Sequence, residues 1–192
     1  MNFLPKMQPA QPKQPSKIKN ISYAFFEIAQ MLLLTLALYF AIDAIICRAR
    51  VEKVSMEPTL EEGEILIVNK LAYKLGKIER GDILTFHYPL NPKLDYIKRI
   101  IGLPGDKVTI SKGLVYVNGN ALYEPYINNH PEDEDNWLVP ENMVFVLGDN
   151  RRESSDSRSW GFVPTDYVIG KAIAVYWPPG HIRILIHPDI MD

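Results

Sequence analysis

The stretch 28–46, reading IAQMLLLTLALYFAIDAII, restricts the folding of this chain more than any other segment. Nineteen residues at 1.5 Å each reach roughly 28 Å, close to the thickness of a hydrocarbon core. Gln30, Thr35 and Asp43 interrupt the run, and the polar stripe of a buried soluble helix is almost absent between Met31 and Ile42. Glu27 and Asp43 sit near the two ends, where carboxylates can lean toward headgroups. A cleaved signal peptide would need a shorter apolar region and a small-residue site, which Cys47-Arg48-Ala49 does not supply. A lipoprotein signal would want a small residue directly before Cys47, where Ile46 stands. The expectation is an uncleaved transmembrane anchor over residues 27–47, in contact with a lipid bilayer.

Charge orients that anchor. Lys6, Lys13, Lys17 and Lys19 precede it without any acid, whereas residues 48–192 carry 17 basic and 21 acidic side chains. Positive residues stay on the cytoplasmic side, so residues 1–26 are expected inside and 48–192 on the far side. The first 20 residues hold four prolines and five Gln or Asn, the composition of a flexible tail. A formal net charge of −2 gives no basic field for nucleic acid, and none is expected as a partner. Cys47 is the single cysteine, which excludes an intrachain disulfide and a cysteine-rich zinc site.

Past Arg50 the pattern changes to short apolar runs cut by turn residues. Strands are expected at 65–68, 83–88, 96–101, 108–110, 114–117, 144–147, 172–177 and 182–186. Asn118-Gly119 between 115–117 and 120–122 is a hairpin signal, because these residues accept the positive φ angles of a type I′ turn. One short helix is expected within 70–75. The spacing of βαβ units is missing, so the domain reads as all-β and mainly antiparallel. The acidic segment 128–136 (NNHPEDEDN) lacks the alternating ligands and turn glycine of a calcium loop and reads as a solvated connection.

Familiar catalytic patterns are missing. Neither Gly-x-Ser-x-Gly nor His-Glu-x-x-His occurs, and His87, His130, His181 and His187 show no metal-ligand spacing. His87, in an apolar strand, reads as a core residue. A Ser-His-Asp triad is left open by the sequence, without anything that points to one.

Three other stretches carry more. They are Ser55-Met-Glu-Pro-Thr-Leu60, Tyr96-Ile-Lys-Arg-Ile-Ile-Gly-Leu-Pro-Gly-Asp106, and Gly148-Asp-Asn-Arg-Arg-Glu-Ser-Ser-Asp-Ser-Arg-Ser-Trp-Gly161. In this order, behind one membrane anchor, they resemble the type I signal peptidase family over nearly the whole chain. The resemblance implies an all-β protease core that removes leader peptides from exported precursor proteins, with no metal or organic cofactor. By position, Ser55 matches the family's nucleophile and Lys98 its general base. Ser154 matches a serine that hydrogen-bonds the lysine amine, and Asp156 and Arg158 a charged pair supporting the site. Val51, Leu60 and Ile97 fall where the family lines its small substrate pockets.

The physical reading of these residues is compatible. A serine hydroxyl needs a base within hydrogen-bond reach, and a lysine serves only when neutral, which demands burial. Ile97, Ile100 and Ile101 provide apolar surroundings for Lys98. A lysine in a strand is ordinarily an exposed edge residue, and Ser55 alone a turn serine before Pro58. The residues 154–158 alone would be a hydrophilic loop. None of these readings explains why all three occur together behind an anchor.

Two departures stand out. Glu52-Lys53-Val54 replaces the family's common segment, a proline followed two positions before the nucleophile by serine or glycine; in many members that serine hydroxyl helps the nucleophile's backbone N–H hold the oxyanion. Lys53 has no hydroxyl, although its ammonium is long enough to reach the same charge. Only 49 residues separate Lys98 from Gly148, so the large extra β domain of bigger members is absent. Two other classes compete with the enzyme. Soluble self-cleaving repressors use the same chemistry but carry a DNA-binding region and no anchor. A catalytically silent membrane-tethered module is motivated by Glu52 and Lys53.

Overall fold

The computed structural model describes residues 17–188, with side chains from Tyr23 onward; the expected flexible tail lies mostly outside them. Two compact units divide between Ile42 and Asp43. The first is dominated by α1 (Lys17–Ile45), whose side chains from Tyr23 to Ile45 are all exposed. Residues 23–45 are long and apolar enough to cross a membrane. An apolar surface that runs all round a helix is stable where lipid replaces water, provided its backbone is internally bonded. Thr35 obeys the same rule, its hydroxyl donating to the Met31 carbonyl at 2.8 Å.

The second unit runs β1 (Ile46–Arg50), a 3₁₀ turn (Val54–Met56), β2 (Ile65–Asn69), α2 (Ala72–Leu75), β3 (Ile83–His87), β4 (Asp95–Gly102), β5 (Lys107–Ser111), β6 (Leu114–Val117), β7 (Asn120–Ala121), β8 (Asp135–Leu138), β9 (Met143–Leu147), α3 (Ser157–Trp160), β10 (Val163–Pro164), β11 (Val168–Trp177) and β12 (Arg183–Ile184). Ile46 and Cys47, which hydropathy groups with the apolar span, open β1 instead.

The larger sheet has the order β1-β2-β11-β3-β4-β9-β10, with β12 on β11, and the smaller the order β7-β6-β5-β8. Every pairing among the described residues is antiparallel. Alternation sets the buried faces: Leu66 and Val68 of β2, Val108 and Ile110 of β5, and Val115 and Val117 of β6 point inward. The turn between β6 and β7 has φ of 53° at Asn118 and 87° at Gly119, as the Asn-Gly pair implies.

β4 is the strand that matters for chemistry. It lies between β3 and β9, and residues 98–102 are buried on both faces, Lys98 and Arg99 included. Its ladder to β9 begins at Arg99, so among the described residues the 95–98 half pairs only with β3. His87 departs from expectation: at the end of β3 it is exposed and 2.8 Å from Asp95, because the strand has already left the core there. The acidic segment 128–136 ties loops together. Asp133 pairs with Arg158 at 2.6 Å, Glu132 with Arg152 at 2.9 Å, and the Lys112 N–H donates to Glu134 at 2.6 Å.

Candidate active site

Ser55 sits in the 3₁₀ turn, which Met56 anchors by burial at 1% exposure. The turn is held from the loop after β9. The Asn150 N–H donates to the Ser55 carbonyl at 3.1 Å, and its side-chain amide to the Val54 carbonyl at 3.3 Å. Gly148 makes this approach possible, because a Cβ there would overlap Ser154 and the Ser55 carbonyl.

Lys98 reaches this turn from β4. Its Nζ lies 2.7 Å from Ser55 Oγ and 3.1 Å from the Ile97 carbonyl. The residue is 4% exposed, and burial pushes its amine down to about 8 from 10.5. Asp156 and Asp149 pull the value back up, while the positive charge of Lys53 lowers it further. Removing a cation from water outweighs two carboxylates that already serve other partners. The Tyr96 ring, centred 5.5 Å from Nζ, covers another side of the amine.

Asp156 is fully buried. One carboxylate oxygen accepts from the Gly148 N–H at 3.1 Å and the other from Arg158 Nε at 2.8 Å. Arg158 also donates to the Arg151 carbonyl at 2.6 Å, so the pair fixes the 148–158 loop. The bond expected between Ser154 and the Lys98 amine is not formed: Ser154 Oγ is buried with no partner among the described residues.

Sequence reasoning missed a second buried pair. Arg99 grips Asp149 through two bonds of 2.8 and 2.6 Å, donates to the Gly81 carbonyl at 2.8 Å, and stacks over Tyr126 at 3.9 Å. Thr59 bonds the same Asp149 at 2.5 Å, which ties the Ser55 segment to β4 and to the 148–158 loop at once. The signal was present in Lys98-Arg99 within an apolar strand, since an arginine there demands a carboxylate partner.

Beside Ser55 and Lys98 opens a cleft of about 930 Å³, walled by Val51, Thr85, Tyr96 and Ile97 among others, with Lys53 at its edge. Leu60 is not on the wall. It is fully buried in the cluster beneath, with Val51, Met56 and Leu66, because the backbone bond from the Leu60 N–H to the Met56 carbonyl at 2.9 Å turns it inward. A histidine base finds no support: His181 faces Glu64 at 2.9 Å, His187 faces Asp82 at 3.0 Å, and His87 faces Asp95.

The sequence profile of the family described as "Signal peptidase, peptidase S26" matches residues 25–177. "Signal peptidase I" of Bacillus caldolyticus is 45% identical, over 67% of this chain and 78% of the relative. "Signal peptidase I" of Leptolyngbya laminosa is 39% identical over 96% and 94%, and "Probable signal peptidase I-2" of Synechocystis is 40% identical over 84% and 77%. With a buried lysine against a serine on an antiparallel β frame, and relatives alike over most of their length, the chain belongs to the signal peptidase (peptidase S26) family.

Proposed function

We propose that Ser55 is the nucleophile and Lys98 the general base with which this signal peptidase removes leader peptides from exported precursors. The observation that carries the assignment is the 2.7 Å approach of a buried, partly neutral amine to the serine hydroxyl. When Lys98 is neutral, Ser55 O–H donates to its lone pair. The amine then takes the proton as Oγ attacks the carbonyl after a small residue. The protonated amine next delivers that proton to the leaving nitrogen. Water, activated by the same amine, releases the acyl group. The Ser55 backbone N–H, with the Lys53 ammonium, is proposed to hold the oxyanion.

Asp156 and Arg158 position the loop that grips the Ser55 turn. Val51 and Ile97 shape the small pockets, and the unpaired half of β4 offers an edge on which an extended substrate can add as a strand. Ser55→Ala in purified full-length protein should abolish cleavage of a precursor carrying an Ala-x-Ala site and leave the fold intact. Substantial residual cleavage would remove the assignment.

The proposed topology is a cytoplasmic tail before the span, an anchor within α1 over 23–45 and an exported catalytic domain from β1 onward. The apolar helix and the four lysines before it support this reading. Tethering raises the local enzyme concentration where leader peptides leave the bilayer. Protease added to intact spheroplasts should digest the β domain; its protection would reverse the orientation.

A further inference from the structure

The Asn150 side chain ends a directed chain of hydrogen bonds that begins well away from the nucleophile turn. The backbone N–H of Arg152 donates to Asn129 Oδ1 at 3.2 Å. A backbone N–H can only donate, so the Asn129 amide is fixed with Nδ2 on its other side, where it donates to Asn150 Oδ1 at 3.0 Å. That leaves Asn150 Nδ2 facing the Val54 carbonyl at 3.3 Å, a group that can only accept. Neither amide can flip without setting donor against donor or acceptor against acceptor. The Val54 carbonyl also accepts the Glu57 N–H at 3.0 Å, so both its lone pairs are used. Asn129 belongs to the acidic 128–136 segment, 21 residues from Asn150 in the chain.

We propose that Asn129, acting through Asn150, is a positioning residue for the oxyanion site. The proposal rests on the reading of Ser55 as the nucleophile whose backbone N–H holds the oxyanion. The Val54 carbonyl and the Ser55 N–H belong to one planar trans peptide and point in opposite directions. Two bonds on the carbonyl therefore set the plane and aim the N–H. Among the described residues the Ser55 N–H donates to no acceptor, so it is available to a developing negative charge. Bonds accepted by a carbonyl also polarise its peptide, which makes the N–H a stronger donor. Lys53 is exposed and brings an ammonium on a flexible stem, so the fixed part of the oxyanion site is this N–H and whatever orients it.

The test uses detergent-solubilised full-length protein, a cleavable peptide, a peptide aldehyde of the same leader sequence and the matched peptide alcohol. Ser55 Oγ adds to the aldehyde carbon, its proton passes to the Lys98 amine, and the former carbonyl oxygen becomes the anion that the site holds. The alcohol cannot be attacked and reads ordinary binding. Asn150→Ala keeps the backbone bond to Ser55 and should lower kcat about ten-fold with KM unchanged, and Asn129→Ala about three-fold. Aldehyde affinity should fall by the same factors while alcohol affinity holds. Because Asn129 acts through Asn150, adding Asn129→Ala to Asn150→Ala should cost nothing further. The pH midpoint of kcat should stay in place, since neither side chain is charged. An unchanged kcat in Asn150→Ala, alcohol affinity that falls with the aldehyde's, additive losses in the double variant, or a shifted midpoint overturns the proposal. Each aldehyde-to-alcohol ratio is taken within one variant, so incomplete folding cancels. Ser55→Ala should bind the aldehyde no better than the alcohol; a retained aldehyde advantage there would count against the nucleophile rather than against Asn129.

Discussion

Replacing Lys98 by methionine keeps the length and the apolar stem and removes the amine, which isolates the role of its proton. With the amine at about 8, roughly one tenth of the molecules carry a neutral base at pH 7. An amine left at 10.5 would be neutral in about one of 3,000, so burial raises the competent fraction by about 300-fold. Cleavage by the parent protein should then rise about ten-fold between pH 7 and pH 9 and level off above it.

Stability moves the same way. The unfolded chain keeps its lysine proton up to about 10.5, so between 8 and 10.5 it binds more protons than the folded chain. Stability therefore rises with pH through that window, and roughly 3 kcal/mol is withheld at pH 7. Methionine recovers that amount but loses the contacts to Ser55 Oγ and the Ile97 carbonyl, at about 1 kcal/mol each. Lys98→Met should thus be inactive and equal to the parent or up to ~2 kcal/mol more stable at pH 7, the advantage fading toward pH 10.5. Thermal melts of the full chain in detergent, followed by near-ultraviolet circular dichroism at several pH values, read this directly. A rate flat from pH 6 to 9, with a clearly less stable Lys98→Met at pH 7, would refute the buried neutral base.

Gly148→Ala forces a Cβ into Ser154 and the Ser55 carbonyl, so kcat/KM should fall by roughly 10²-fold, with a lower melting temperature from the displaced loop. Normal kinetics would show that the two loops separate freely. Lys53→Ala should reduce kcat by about 10²-fold with little change in KM, and Lys53→Ser should restore much of it. Removing this cation should also move the pH midpoint upward, since its charge lowers the Lys98 amine. An unchanged kcat would leave the oxyanion to backbone N–H groups alone.

Much of the frame was legible because each element announces itself locally. The strands at 114–117 and 144–147, and the Asn118-Gly119 turn, follow from alternation and from residues that tolerate positive φ. The Lys112-Gly113 turn, also at positive φ, was not legible, because lysine carries no preference for that region. β8 was hidden in an acidic segment, and only the register of Asp135–Leu138 against Lys107–Ile110 makes it a strand. β1 was masked by the apolar run before it; its pairing with β2 decides where the helix stops.

For the site, the sequence alone determined which residue types are present and in what order. Ser55, Lys98 and the 148–161 stretch lie in three distant segments, and their resemblance to the signal peptidase family, not their composition, is what pointed to a serine with an amine base. The tertiary structure decided everything that depends on a neighbour. Lys98 is buried because β3 pairs with its strand and the Ser55 turn and the Tyr96 ring cover its amine, and burial is a property of the packed fold that no strand reports about itself. Arg99 and Asp149 join β4 to the nucleophile turn across 50 residues, a match of charges visible only after the chain has folded. Ile97 of β4 came to the cleft for the same reason. Alternation says that a side chain takes one of two faces, and only the other sheet elements settle which of them is the cleft.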